Sequence, residues 1–227
     1  SSVLFGLLLA GYSFLTIQQN KVWENSYTLW SDAVAKHPES NTANALMGVV
    51  YMDLGMDEEA IKYLEKAIQI LPYDYQSRNN LGIVYGKIGE FEKAFQELMI
   101  AMHLDPENDN IKINLGILFL RQKEYLKAEE IFQYLIQKRP DDAQLHYRLA
   151  YVYKEWGKYD LALSELHRAS ALAPHIINPY EEIGNLYATR LRDREKAIEY
   201  YSKAVEVAKK SKVKAEELRW MVQDLQR

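Results

Sequence analysis

Apolar residues change their spacing along this chain. Residues 1–20 carry no charge and are apolar on every side of a helix, the mark of either a buried core helix or a membrane span. Beyond Lys21 the apolar positions settle into short stripes at helical spacing. In NNLGIVYGKIGEFEKAFQELMIAMHLDP, residues 79–106, one stripe runs through Leu81, Val84 and Tyr85, and a second through Phe91, Ala94, Phe95, Leu98 and Ala101. Gly89 between them suits the left-handed C-cap of the first helix, and Pro106 stops the second. The unit is therefore two helices joined by a tight turn.

The unit recurs. Pro38, Pro72, Pro106, Pro140 and Pro174 are separated by a constant 34 residues. The same step links Gly48, Gly82, Gly116, Ala150 and Gly184, then Ala60, Ala94, Ala128 and Ala162, then Tyr51, Tyr85, Phe119, Tyr153 and Tyr187. Four series in phase do not coincide by chance. Small residues at the Gly82 and Ala94 positions allow close helix approach, and an aromatic fills the space beside it. Neither helix buries its stripe alone, so the units must stack.

This small–aromatic–Ala–Pro order resembles the tetratricopeptide repeat (TPR) over residues 41–210. The resemblance implies an all-α, right-handed superhelix of repeats at 41–74, 75–108, 109–142, 143–176 and 177–210. The third repeat has Lys123 where the turn glycine is expected, and the fifth has one extra turn residue in TRLRDREKA, which moves its alanine to Ala197. Residues 211–227 read as a capping helix with Leu218, Met221 and Leu225 on one face. Upstream, Trp30, Ala33 and Pro38 hold the register of a second helix, so 21–40 reads as a degenerate half-repeat.

Three readings compete for residues 1–20. A signal peptide needs a basic start and a cleavage site, and neither is present. A core helix completing the half-repeat would put Phe14 where the register asks for a small residue. A span fits best: twenty uncharged residues reach ~30 Å as a helix, and Trp23 and Tyr27 follow as interfacial aromatics. The numbering starts at a serine, so the span is expected to continue upstream. The layout of apolar segment, Trp23, Leu29, Trp30 and repeats also resembles the transmembrane-and-TPR O-mannosyltransferase family, whose repeats face the exoplasmic side. The few basic residues after the segment, Lys21 and Lys36, agree with that side.

Composition narrows the function. With 48% hydrophobic residues, six Pro and ten Gly in 227, the chain can build a continuous core. A net charge of −4 argues against nucleic acid as a partner. No cysteine is present, which excludes disulfides, thiolate metal sites and cysteine nucleophiles. The five histidines show no metal-ligand spacing, and each is expected on a helix surface or turn. LDPENDN, residues 104–110, lacks the glycine and distal glutamate of a calcium loop, so it reads as a stop and an N-cap. No catalytic constellation, cofactor motif or metal site emerges, and any catalysis is expected upstream in a membrane region.

What remains is the inner groove. TPR resemblance implies that first helices line it. Asn80 and Asn114 repeat at the period, which resembles the asparagine ladder of the O-GlcNAc transferase TPRs. An amide both donates and accepts, so it can hold any peptide unit. Asn79, Lys87, Arg121, Tyr147, Arg148, Tyr151 and Lys154 complete the candidate groove, a mixture of cations and aromatics suited to an acidic, apolar peptide. The expectation is a membrane-tethered scaffold that binds a protein or peptide segment. Its alternatives are an acceptor-positioning domain of a polytopic glycosyltransferase, or a module that assembles with copies of itself.

Overall fold

The computed structural model describes residues 25–211, 219, 221–223 and 225. The expected span over 1–20 lies outside these residues. Every regular element described is a helix: α1 Ser26–Lys36, α2 Asn41–Asp53, α3 Asp57–Ile70, α4 Tyr75–Ile88, α5 Phe91–Leu104, α6 Asp109–Arg121, α7 Tyr125–Lys138, α8 Ala143–Glu155, α9 Tyr159–Leu172, α10 Ile177–Leu186 and α11 Arg194–Ser211. They form consecutive helix–turn–helix hairpins, as the 34-residue period requires. Two compact units divide between Asn114 and Leu115, inside α6.

Local chemistry sets the ends of these helices. Asn25 and Thr28 form a reciprocal capping box on α1. The Asp74 carboxylate caps α4 by accepting from the Gln76 and Ser77 amides at 3.1 and 3.3 Å, and Asp142 does the same for α8. Asn108 accepts from the Asn110 amide at 3.1 Å, so LDPENDN serves as a cap. Gly89 ends α4 at φ +88°, a conformation that suits a residue without Cβ. Lys123 fills the corresponding turn of the third hairpin and is forced to φ +60°. Lys123→Gly should therefore raise stability by about 0.5–1 kcal/mol, read as a later melting midpoint. A lower midpoint would mean that the turn is unstrained.

Inside each hairpin the core is a close crossing. Ala60, Ala94, Ala128, Ala162 and Ala197 are wholly buried. A Cβ added to Gly82 would lie 2.7 Å from Leu98 Cγ and 3.2 Å from the Ala94 carbonyl oxygen. One added to Gly116 would lie 2.9 Å from Phe132 Cζ. The extra residue of the fifth hairpin is absorbed as a π-turn over Tyr187–Leu191, which returns the alanine register at Ala197. Met221, Val222 and Leu225 pack on the cluster of Ala197, Tyr201, Ala204, Val205 and Ala208, and so cover the face that a further repeat would take.

Two features depart from the sequence reading. Phe95, placed on the inner stripe of α5, is 37% exposed, whereas Ala94, Leu98 and Ala101 of the same helix are buried. His146 is not at the surface. It is buried, with Nδ1 2.6 Å from Glu165 and Nε2 2.9 Å from the Pro140 carbonyl oxygen.

That second contact is one of a series. Asn44 Nδ2 donates to the Pro38 carbonyl at 3.0 Å, and Arg78 Nε to that of Pro72 at 2.9 Å. Lys112 donates to Pro106, and the Tyr180 hydroxyl reaches Pro174 at 3.5 Å. Asparagine, arginine, lysine, histidine and tyrosine occupy one register position and satisfy one orphan carbonyl after each second helix. The recurring tyrosines also bridge hairpins: Tyr85 donates to Glu65 at 2.8 Å and Tyr153 to Glu129 at 2.7 Å. These contacts hold successive first helices in register, which is what aligns their groove-facing side chains.

Candidate functional site

In the first unit, α2 and α4 line an open groove of about 630 Å³. Its walls carry Leu46 and Val49 from α2, Asn79 and Asn80 from α4, and Asn110 and Ile111 from α6. The Asn114 amide donates to Asn79 Oδ1 at 2.9 Å, so the ladder pairs 114 with 79. Asn80 is half-buried in the groove wall, and its amide has no protein partner among the described residues. Its donor and acceptor are not buried and stay open on the groove side, where a ligand can use both. Lys87 stands apart from this groove: its ammonium pairs with Asp57 at 2.7 Å.

In the second unit a groove of about 620 Å³ is walled by Ile117, Leu120 and Arg121 of α6 and by Tyr147, Arg148 and Tyr151 of α8, with Tyr125 at the α6–α7 turn. Burial pushes the Tyr147 phenol up to about 12, and the Glu182 and Glu181 carboxylates add to the shift, so it is a neutral hydrogen-bonding group across the ordinary pH range. The Arg148 Nε is buried without a hydrogen-bond partner among the described residues. Lys154 is committed elsewhere, 2.9 Å from Glu182 and 4.2 Å from the Tyr151 ring centroid. It therefore fixes Tyr151 and Glu182 rather than presenting a free cation.

Of the nine residues singled out from sequence, Asn79, Asn80 and Asn114 come together in the first unit. Arg121, Tyr147, Arg148 and Tyr151 come together in the second, with Lys154 behind them. A series that the sequence reading missed lies at the second position of each repeat: Thr42, Gln76, Asn110, Gln144 and Asn178. Thr42, Gln76 and Asn110 line the first groove and Gln144 the second, while the Asn178 side chain acts to lower the Tyr147 pKa against the larger effect of burial. The signal was available as a 34-residue run of amides and a hydroxyl, but it is chemically looser than the Gly and Pro series. Among the described residues, no three His, Asp or Glu side chains converge on a metal position. None of the described helices is long and apolar enough to cross a membrane.

Comparisons place this geometry among known proteins. The profile of the Psidin N-terminal TPR repeats region matches residues 17–147, and tetratricopeptide repeat profiles match 119–180 and 177–211. The crystal structure of a tetratricopeptide repeat protein from Parabacteroides merdae superposes with a TM-score of 0.74, at 19% identity over 97% of this chain and 84% of that one. A crystal structure of MamA gives 0.58, at 26% identity over 78% of this chain and 97% of that one. YrrB, described as a TPR protein with an unusual peptide-binding site, gives 0.54 at 19% identity, over 78% and 91% of the two chains. No curated protein matches the sequence. A 34-residue period, a glycine–alanine crossing in successive hairpins and a profile match over more than half of the residues agree: the chain belongs to the tetratricopeptide repeat family.

Proposed function

We propose that this chain is an interaction scaffold that holds an extended peptide segment against its first helices, and that residues 1–20 tether it to a membrane. The observation that carries the binding reading is Asn80, a half-buried amide on the wall of an open groove, without a hydrogen-bond partner among the described residues. Thr42, Gln76 and Asn110 surround it with further hydrogen-bonding groups. Backbone amides and carbonyls of an extended peptide are the natural complement, since they need no particular side chain. The second groove, taken by itself, has a side-chain preference of its own. Arg121 and Arg148 with Tyr147 and Tyr151 favour an acidic or aromatic residue. YrrB shows that this fold can carry a peptide site; the assignment here rests on the residues of this chain. The uncharged run over 1–20 and the few basic residues after it support a tether with the repeats on the exoplasmic side.

The test is a titration. Peptides of twelve residues selected by display on the immobilised chain should bind the double variant Asn80→Ala/Asn114→Ala roughly 5- to 100-fold more weakly, because each lost amide contact costs about 0.5–1.5 kcal/mol. The control is Glu92→Ala, an exposed position on α5. Glu97 would not serve, because it pairs with Arg78 at 2.7 Å. Equal affinities for the parent and the double variant would move the interface to the second helices.

A further inference from the structure

Arg148, in the groove of the second unit, carries a charge without a counter-ion. Its Nε is buried and has no hydrogen-bond partner among the described residues, and no ion pair reaches the side chain among them either. A guanidinium keeps its proton at every ordinary pH, so this N–H cannot relieve its burial by discharging. The carboxylates that reach α8 are already engaged. Glu129 accepts from Tyr153 at 2.7 Å, Glu165 lies 2.6 Å from His146, and Glu182 lies 2.9 Å from Lys154. A buried donor left unmade is costly, and on the wall of an open groove it marks a place for an acceptor from outside the chain.

The groove around it is positive. Arg121, Lys123 and Arg148 line it, against Glu155 as the one acidic side chain among its described lining residues. The excess is therefore two positive charges. The Tyr147 and Tyr151 phenols line the same space and can donate to an anion. Ile117 and Leu120 make part of the wall apolar, and a charge contact formed beside them is stronger than one in open water.

Charge and donor number select the anion. A carboxylate brings one charge and two oxygens, enough for one edge of Arg148 alone. A phosphomonoester brings a charge of about −1.5 to −2 and three acceptor oxygens. Two of those oxygens can accept side-on from Nε and a terminal nitrogen of Arg148. The third is left for the Lys123 ammonium or a phenol. Only the phosphomonoester matches both the charge excess and the number of donors.

We propose that the second groove is a phosphomonoester site, in which Arg148 holds a phosphorylated side chain of the bound segment. The proposal rests on the reading of the chain as a peptide scaffold. It adds that the phosphorylation state of the partner sets the occupancy of this groove, with no change in the chain itself.

Phenyl phosphate and phenylacetate present one ring with either anion, so they probe the groove of the full chain without a peptide. By calorimetric titration, phenyl phosphate should bind about 10-fold or more tightly than phenylacetate, the equivalent of one charge-assisted hydrogen bond. The Arg148 Nε–H resonance should shift as phenyl phosphate is added. Arg148→Lys keeps the charge but loses the side-on edge, and it should weaken phenyl phosphate by a similar factor at an unchanged melting midpoint. Asn80→Ala/Asn114→Ala should bind phenyl phosphate as the parent does, because both positions lie in the first unit. Equal or tighter binding of phenylacetate would overturn the phosphate assignment. Inorganic phosphate binding as tightly as phenyl phosphate would overturn the side-chain assignment and leave a site for the free ion. An unmoved Arg148 resonance at saturation, or a folded Arg148→Lys that binds like the parent, would overturn the role of Arg148. Failure of both aryl anions to bind would overturn the anion site, while the peptide scaffold would still be judged by the Asn80 and Asn114 titration.

Discussion

Replacing Phe132 with alanine should destabilise the second unit by about 3–5 kcal/mol, the range for emptying a fully buried aromatic site. Phe132 is the largest of the wholly buried side chains, and it fills the crossing where the other hairpins use Leu64, Leu98, Leu166 and Tyr201. Its ring packs over Gly116, which has no side chain with which to fill the void. Collapse is also resisted by α8, which the Tyr153–Glu129 bond ties to α7 at 2.7 Å. Because repeat arrays lose cooperativity when one interface weakens, unfolding should separate into two steps. Trp156, stacked on Tyr125 at 5.8 Å between centroids, offers a fluorescence signal for the damaged unit. Urea titrations read by that signal and by circular dichroism should no longer coincide. A single coincident transition shifted by less than about 1 kcal/mol would show that the crossing repacks freely.

The second large effect is expected at the α4–α5 crossing, from the opposite error. Ala94→Phe inserts a ring where Gly82 and Leu98 already meet, and overpacking of this kind costs about 1–3 kcal/mol and occasionally more. Gly82→Ala should fall in the same range, since its Cβ would press on Leu98 and on the backbone oxygen of Ala94. The two substitutions share neighbours, so the double variant should depart from additivity by about 0.5 kcal/mol or more. Gly89→Ala is the informative contrast. Its Cβ would meet nothing within 4 Å, so only its left-handed φ of +88° opposes the change, at about 1–2 kcal/mol. Additive losses at 82 and 94 would mean that the two positions do not form one contact.

Much of the architecture was legible before any coordinate. The register of Gly82, Ala94, Tyr85 and Pro106 repeats because each demand is local and chemically narrow. A close crossing admits only small residues, a left-handed turn favours glycine, and a helix stop favours proline. The cap at LDPENDN and the extra turn residue before Ala197 were readable for the same reason. Phe95 was not, because at helical spacing a residue one position from the crossing alanine cannot be told from one that faces it. The groove was half legible. Asn80 and Asn114 stood out as a periodic pair, but the amide that bonds Asn114 belongs to Asn79, not to Asn80.

The 34-residue period, the all-helical class and the turn positions belong to the sequence by itself, since each follows from a few residue types at fixed spacing. Tertiary structure alone decided that Asn44, Arg78, Lys112, His146 and Tyr180 perform one task at five proline carbonyls. It also decided that Lys87 and Lys154 are spent on Asp57 and Glu182. The reason is physical: a carbonyl accepts from any donor that reaches it, and an ion pair needs only opposite charge within ~4 Å. Such contacts leave no narrow residue preference along the chain, and they appear only when packing has set the distances.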